Sequence, residues 1–366
     1  MFRNRWTVLA ASFLAAAPSA ARAQDAPTEW DSTIAAANKE GAVTVNIPAG
    51  GALRDFLLTE WRKSFPKITL ELTSTDEGTW IARVRIERSA GKYLWDAALS
   101  GSVTSFTMKN DGFTVPIAPE FILPDVKDEK TWGGWERVFF DNEHRYVMAT
   151  QNFLKMPFYN ARLLTPEKVK EEGTRIFLDP ALKKSVIWND PLIPGPGETF
   201  PIVMRRLLGD DGLKTFVTQQ VVFVAGMMDL VDKMARGVYA MSMGPGMTAL
   251  LLPYKKAGVD FDIRPLGNTP EMGAYSNSGG SNLIVMKDAP HPNAAKLFVN
   301  WLLSKDVAAP LATVTHQDTN RLDVASQLPP GEQPIPGIRY VEPQRESSVA
   351  DVNASHDFIR QIRQAP

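Results

Sequence analysis

Residues 42–72 read AVTVNIPAGGALRDFLLTEWRKSFPKITLEL, and the periodicity of this stretch changes twice. Val43, Val45 and Ile47 alternate with Ala42, Thr44 and Asn46, the period of a strand, until Pro48-Ala49-Gly50-Gly51 breaks the run. Leu53, Phe56, Leu57, Trp61 and Phe65 then recur at three and four residues, which predicts a helix that stops before Pro66. Ile68, Leu70 and Leu72 alternate again. Strand, helix and strand at this spacing form a βαβ unit with parallel strands, which puts the Gly50-Gly51 loop at the carboxyl edge of a sheet.

The theme repeats outward from this unit. Thr28-Glu29-Trp30-Asp31 has capping-box spacing, and the helix it starts ends at Gly41. Trp80 to Ala90 reads as a helix, and Leu94 to Leu99 as a buried strand running into Ser100-Gly101-Ser102. Val147 to Phe153 is extended, and Leu163 to Glu172 is a helix that Pro166 starts and Gly173 ends. Ser185 to Trp188 is a strand followed by a loop from Pro191 to Gly197 and a helix from Glu198 to Leu208. Val238 to Met243 is a short strand broken at Gly244-Pro245-Gly246, and Asn282 to Met286 is another. An amphipathic helix follows Pro292, the Pro- and Gly-rich run from Gln327 to Pro343 is an ordered loop or surface wrap, and Phe358, Ile359 and Ile362 predict a terminal helix. The expected fold is α/β in two lobes.

Composition bounds the function. Residues 1–23 carry Arg3 and Arg5, an apolar run from Trp6 to Pro18 and the small-residue site Ala21-Arg22-Ala23, the pattern of a signal peptide cleaved before Gln24. The alternative is an uncleaved anchor, but the apolar run falls short of the roughly 20 residues a span needs. Without Arg3, Arg5 and Arg22 the 40 basic residues fall to 37 against 41 acidic ones, a net charge of −4. That balance argues against nucleic-acid or anionic-membrane binding. With no cysteine, disulfides, thiolate metal sites and cysteine nucleophiles are all excluded.

Catalytic patterns are missing from the sequence: there is no Gly-x-Ser-x-Gly elbow, Walker loop or His-Glu-x-x-His helix, and His144, His291, His316 and His356 are scattered. The loops after strands are the better lead, because ligands of open parallel sheets bind beyond the carboxyl ends of strands, where helix N-termini offer free N–H donors. The candidate ligand-binding residues are Ala49, Gly50, Gly51, Ser100, Gly101, Ser102, Gly197, Glu198, Thr199, Gly244 and Tyr275. Each loop taken singly has an alternative reading as an ordinary turn. Glu198 either faces a cationic group or charges its own helix start, and Arg54 either grips an anion or lies on a wet face. Trp188, Phe158, Tyr159 and Tyr275 form either an aromatic wall or core.

Three segments carry a family resemblance. Trp30-Asp31 with the run from Ala35 to Val45, the run from Ala289 to Ser304, and Phe158-Tyr159-Asn160 with Leu163-Leu164 resemble the periplasmic solute-binding proteins of ABC importers. The likeness is to the extracellular solute-binding family 1 branch that includes ferric-ion-binding and 2-aminoethylphosphonate-binding members. It implies a type II periplasmic binding protein fold, with parallel-dominated sheets joined by hinge strands that cross near 149–151 and 278–281. It further implies a non-catalytic periplasmic receptor that closes on a small solute and delivers it to an inner-membrane ABC permease, without a cofactor or nucleic-acid partner and as a monomer. The iron-binding members carry adjacent tyrosines where this chain reads Gly244-Pro245-Gly246-Met247-Thr248, so ferric iron is rejected and no metal site is expected. The lobes are expected at 24–149 with 281–304 and at 150–280 with 305–366. The favoured solute is a carboxylate or phosphonate anion; a polyamine or other cation is the rival ligand, and an exported α/β hydrolase or a ligand-sensing partner of a membrane receptor is the rival function.

Overall fold

The computed structural model describes residues 28–48, 51–193, 195–266, 273–276, 280–335, 337–338 and 340–364, apart from the side chains of 275, 276 and 330. The expected signal peptide and the candidate residues Ala49 and Gly50 lie outside the described residues.

The chain opens with α1 (Glu29–Glu40), where Thr28 and Asp31 form the expected capping box and Gly41 closes the helix in the left-handed conformation, φ 77°. It continues through β1 (Ala42–Asn46), α2 (Gly51–Ser64), β2 (Thr69–Thr73), α3 (Glu77–Ser89), β3 (Ala97–Ser100), α4 (Ser102–Asn110) and β4 (Thr114–Val115). Three one-turn helices, α5 (Pro124–Lys127), α6 (Glu129–Trp132) and α7 (Trp135–Val138), lead to β5 (Met148–Ala149). After β6 (Gln151–Lys155) come β7 (Phe158–Asn160), α8 (Pro166–Glu172), β8 (Val186–Asn189), α9 (Phe200–Thr215), β9 (Val221–Val224), α10 (Met227–Ala235), β10 (Met241–Met243), α11 (Met247–Lys256) and β11 (Ile263–Pro265). The last elements are β12 (Ala274–Ser276), β13 (Asn282–Met286), α12 (Pro292–Leu303), α13 (Lys305–Thr315), β14 (Asp318–Thr319) and α14 (Val349–Gln364). Among the described residues no helix is long and apolar enough to cross a membrane.

Two mixed sheets organise these elements. The first runs β2-β1-β3-β13-β4 with β5 also on β13, and the second runs β11-β7-β10-β8-β9. The β1 pairs with β2 and β3 are parallel, as are those of β8 with β9 and β10. Both faces of each sheet are covered, so successive residues of one strand enter different cores. In β3, Ala97 and Leu99 join the cluster around Trp61 while Ala98 joins that around Trp80. In β8, Val186 and Trp188 join one cluster while Ile187 joins another. This confirms the α/β, two-lobed architecture; the parallel pairs gather around β1 in the first sheet and β8 in the second, toward one edge of each, and the remaining pairs of both sheets are antiparallel.

A third, small sheet, β12-β6-β14, runs between them and is antiparallel throughout. Thr150 donates both its N–H (2.8 Å) and its hydroxyl (2.9 Å) to the Ser281 carbonyl, tying the start of β6 to the start of β13.

The C-terminal boundary differs from expectation. The sequence places the segment from 305 onward in the second lobe, whereas Val307 and Leu311 of α13 sit in the first-lobe core with Trp61 and Leu57. Arg321, 2% exposed, pairs with Asp125 at 2.9 Å, donates to the Leu303 carbonyl at 2.8 Å and lies over Trp132. Arg345 donates to the carbonyls of Glu136, Arg137 and Phe139. Two later stretches return to the second lobe: Tyr340 packs with Ile187 and Leu230, and α14 joins the other core of that lobe through Ile359 and Ile362. The cause is the apolar stripe of α13, which extends that of α12 across Ser304 instead of leaving the lobe. The helix expected from Glu198 starts at Phe200 and is interrupted at Gly209, φ 68° and ψ 178°, a backbone state only glycine takes readily.

Candidate functional site

The two sheets place the candidate loops at equivalent points. From β1 the chain crosses through α2 to β2 on one side, whereas β3 lies on the other side of β1 and leaves through α4. In the second sheet, β8 exits through α9 toward β9, and its other neighbour β10 exits through α11 toward β11. Each sheet therefore has a topological switch point, between β1 and β3 and between β8 and β10, where diverging loops leave a crevice. Gly51 and Ser100-Gly101-Ser102 stand at the first; Gly197-Glu198-Thr199 and Gly244 stand at the second.

In the first lobe most polar groups of the candidate loop are already paired. Ser100 and Ser105 share a hydroxyl hydrogen bond of 2.8 Å. Gly101 N–H donates to Glu77 Oε1 at 2.6 Å, and Thr104 Oγ1 donates to Glu77 Oε2 at 2.6 Å. The start of α4 thus holds a carboxylate of its own. Ser102 Oγ accepts from Asn282 Nδ2 at 3.0 Å, and Asn282 opens β13 beside the crossing. Arg54 donates to the Leu72 carbonyl at 2.9 Å. The loop leaving β1 presses on the crossing itself, because a Cβ on Gly280 would lie 2.2 Å from Pro48 Cγ.

In the second lobe Asn189, at the end of β8, is the hub. A Cβ on Gly197 would fall 1.8 Å from the Asn189 carbonyl oxygen, and one on Gly244 would fall 2.6 Å from Asn189 Oδ1. Both glycines are there because backbone and side chain approach closely, so the ends of β8 and β10 and the start of α9 share one small region. Asn189 Oδ1 and Thr199 Oγ1 are buried acceptors without a partner among the described residues. Glu198 Oε2 accepts the Gly195 N–H at 3.3 Å, and His356 Nε2 approaches the Glu198 carbonyl oxygen at 2.7 Å. Glu198 also attracts Lys155 of β6.

Lys155, Asn189 and Glu77 were not among the residues expected from sequence. Lys155 had a signal, a single charge in the run Phe153-Leu154-Lys155-Met156, and Asn189 had one as the polar end of a buried strand. Trp188, Phe158 and Tyr159 belong to the core. For Tyr275 the backbone is described: it pairs with Leu154, one position from the pair of Ala274 with Lys155.

The histidines are spread over the molecule. His291 donates its N–H to Asp96 Oδ1 at 2.7 Å and brings Nδ1 to 2.9 Å from Asp96 Oδ2, while burial pushes the Asp96 carboxyl up against the lowering effect of these bonds. His316 closes α13 in the left-handed conformation. Among the described residues no group of three or more His, Cys, Asp or Glu side chains is placed to hold a metal ion.

Solved structures of the same architecture span nearly the whole chain. Iron-bound HitA from Pseudomonas aeruginosa matches with a TM-score of 0.63 at 13% identity, covering 88% of this chain and 99% of that one. The periplasmic binding protein AfuA from Actinobacillus pleuropneumoniae, bound to fructose-6-phosphate, matches at 0.58 and 16%, covering 89% and 99%. The spermidine/putrescine ABC transporter substrate-binding protein PotD from Streptococcus pneumoniae matches at 0.60 and 15%, covering 88% and 99%. At these identities the likeness establishes the fold. No curated protein matches the chain in sequence. The model of the bacterial extracellular solute-binding proteins matches residues 44–309, from β1 through most of α13 and so through both switch points. On that match the chain belongs to the bacterial extracellular solute-binding protein family, whose members serve ABC importers.

Proposed function

We propose that this protein is an exported, non-catalytic receptor that captures a small organic anion, a carboxylate or phosphonate, between its two lobes and hands it to an ABC permease. The observation that carries the reading is the pair of switch points, each furnished with a glycine-containing loop and a helix start and joined by the crossing strands β6 and β12. A solute touching both lobes favours the closed state by the difference in its contacts between closed and open forms. The lobes expected at 24–149 with 281–304 and at 150–280 with 305–366 are taken with one change: 305–323 and 342–348 go to the first, while 331–341, with Tyr340 beside Ile187, stays with the second. The site is taken as Ala49, Gly50, Gly51, Ser102, Gly197, Glu198, Thr199, Gly244 and Tyr275, with Asn189 and Lys155 added. Ser100 and Gly101 become supports of the loop rather than contacts.

Thermal unfolding of the mature protein against carboxylates, phosphonates, amino acids, polyamines and metal ions tests the reading, since a solute that binds only the native state raises its melting temperature. Stabilisation by an organic anion, with the anion recovered unchanged, supports it. Stabilisation by polyamines alone overturns the anion preference, and conversion of the solute overturns the receptor role.

A further inference from the structure

We infer that Lys155, on the crossing strand β6, anchors the anionic group of the solute at the N-terminus of α9; the inference rests on the receptor reading above. Lys155 is 7% exposed, and among the described residues its ammonium makes no hydrogen bond and no ion pair. It stands 5.6 Å from the centroid of the Phe200 ring, and Phe200 is the first residue of α9. An unpaired buried ammonium is costly, and here burial pushes its pKa down to about 8, so the group is still mostly protonated at neutral pH.

The same spot receives a second positive feature. The first run of α9, Phe200 to Leu208, ends its dipole on the Gly197–Thr199 loop, and its N-cap residue Thr199 makes no side-chain capping bond. Thr199 Oγ1 is buried there without a partner. A cation beside the positive end of a helix is unfavourable until an anion lies between them, and then both terms turn favourable. Glu198 softens the clash only in part, since it is held to its own loop by Gly195 N–H and forms no ion pair with Lys155. A polyamine would meet an ammonium where it needs a carboxylate. The first lobe offers no equivalent seat at α4, which Glu77 already fills. The geometry therefore assigns the oxyanion to the second lobe and leaves the remainder of the solute to the edge formed by β1 and β3.

The test compares wild type with Lys155→Met, and with Lys155→Gln as a second variant of different polarity, each checked for native folding by its unliganded melting curve. The probes are inorganic phosphate, methylphosphonate, succinate and spermidine, read by thermal shift and calorimetry. The inference expects at least one of the three anions to stabilise wild type, with affinity falling on the order of tenfold to a hundredfold in both variants. The phosphate and methylphosphonate arms against the succinate arm tell phosphorus oxyanions from carboxylates. Equal anion affinity in wild type and variants overturns the role of Lys155 and leaves the receptor reading standing. Stabilisation by spermidine alone overturns the anchor and the anion preference together, and leaves the receptor role standing. Absence of any anion response in wild type overturns the anchor, with the solute-binding role then resting on the family.

Discussion

Glu77 reaches across from the first turn of α3 to accept the backbone N–H of Gly101 at 2.6 Å, so the helix that follows β3 begins on a carboxylate supplied by its own lobe. An anionic solute approaching that helix start would compete with a residue already in place. Glu77→Ala should lower the unfolding free energy by about 1–2 kcal/mol, through loss of the bonds to Gly101 and Thr104. Urea unfolding measures that loss, while solute affinity should stay within a few-fold of wild type. A large loss of affinity with unchanged stability would mean that Glu77 contacts the solute.

The closeness of Gly197 and Gly244 to Asn189 gives a graded prediction. Gly197→Ala drives a Cβ into a backbone carbonyl that cannot step aside, whereas Gly244→Ala meets two side-chain ends, Asn189 Oδ1 and Leu230 Cδ1. Gly197→Ala should therefore cost about 3 kcal/mol or more and Gly244→Ala roughly 1–2 kcal/mol, with both weakening solute binding because they move the loops that form the site. Equal, small effects in chemical unfolding would show the loops to be looser than described.

Lys155 makes the stability depend on pH with a definite sign. Its folded pKa of about 8 lies below the ordinary lysine value of 10.5 because of burial, the attraction of Glu198 being the smaller, opposing effect. Between those two values the unfolded chain holds more protons, so stability rises with pH through the window, and the full cost is present below pH 8. The shift corresponds to roughly 3 kcal/mol. Unliganded Lys155→Met should be more stable than wild type at pH 7, and the difference should shrink as pH approaches 10. Parallel stability curves for the two proteins would contradict this.

Arg321 tests where the C-terminal segment belongs. Its guanidinium joins Asp125, Asp323 and the Leu303 carbonyl in the first lobe. Both aspartates keep substantial access to water, so removing the arginine strands no fully buried charge. Arg321→Met should cost about 2–3 kcal/mol. Hydrogen exchange should locate the loosening in residues 318–325 and α5–α6, leaving β7–β11 protected. Loosening centred on the second sheet would return the segment to the second lobe.

The first βαβ unit was fully legible because its alternation and its 3–4 spacing both report burial, and β1, α2 and β2 place Val43, Leu57, Trp61 and Leu70 in one core. The short strand before Gly244 was legible in kind but not in length: it was expected from Val238 and is formed from Met241, because Gly237 turns at φ 74° and the strand pairs begin only at Met241. The lobe of α13 was not legible, since an apolar stripe declares a buried face without saying which core takes it. The glycine loops were found because turns leave a local signature. Their partners Asn189, Glu77 and Lys155 were not, because a polar side chain that meets a loop 24 or more residues away along the chain, as Glu77 meets Gly101, leaves no spacing to read.

Closure of two lobes on one solute makes the molecule more compact. Small-angle X-ray scattering across a titration with the solute that thermal screening returns tests it most directly. The radius of gyration should fall and level off at one solute per chain. A radius unchanged at saturation would contradict it.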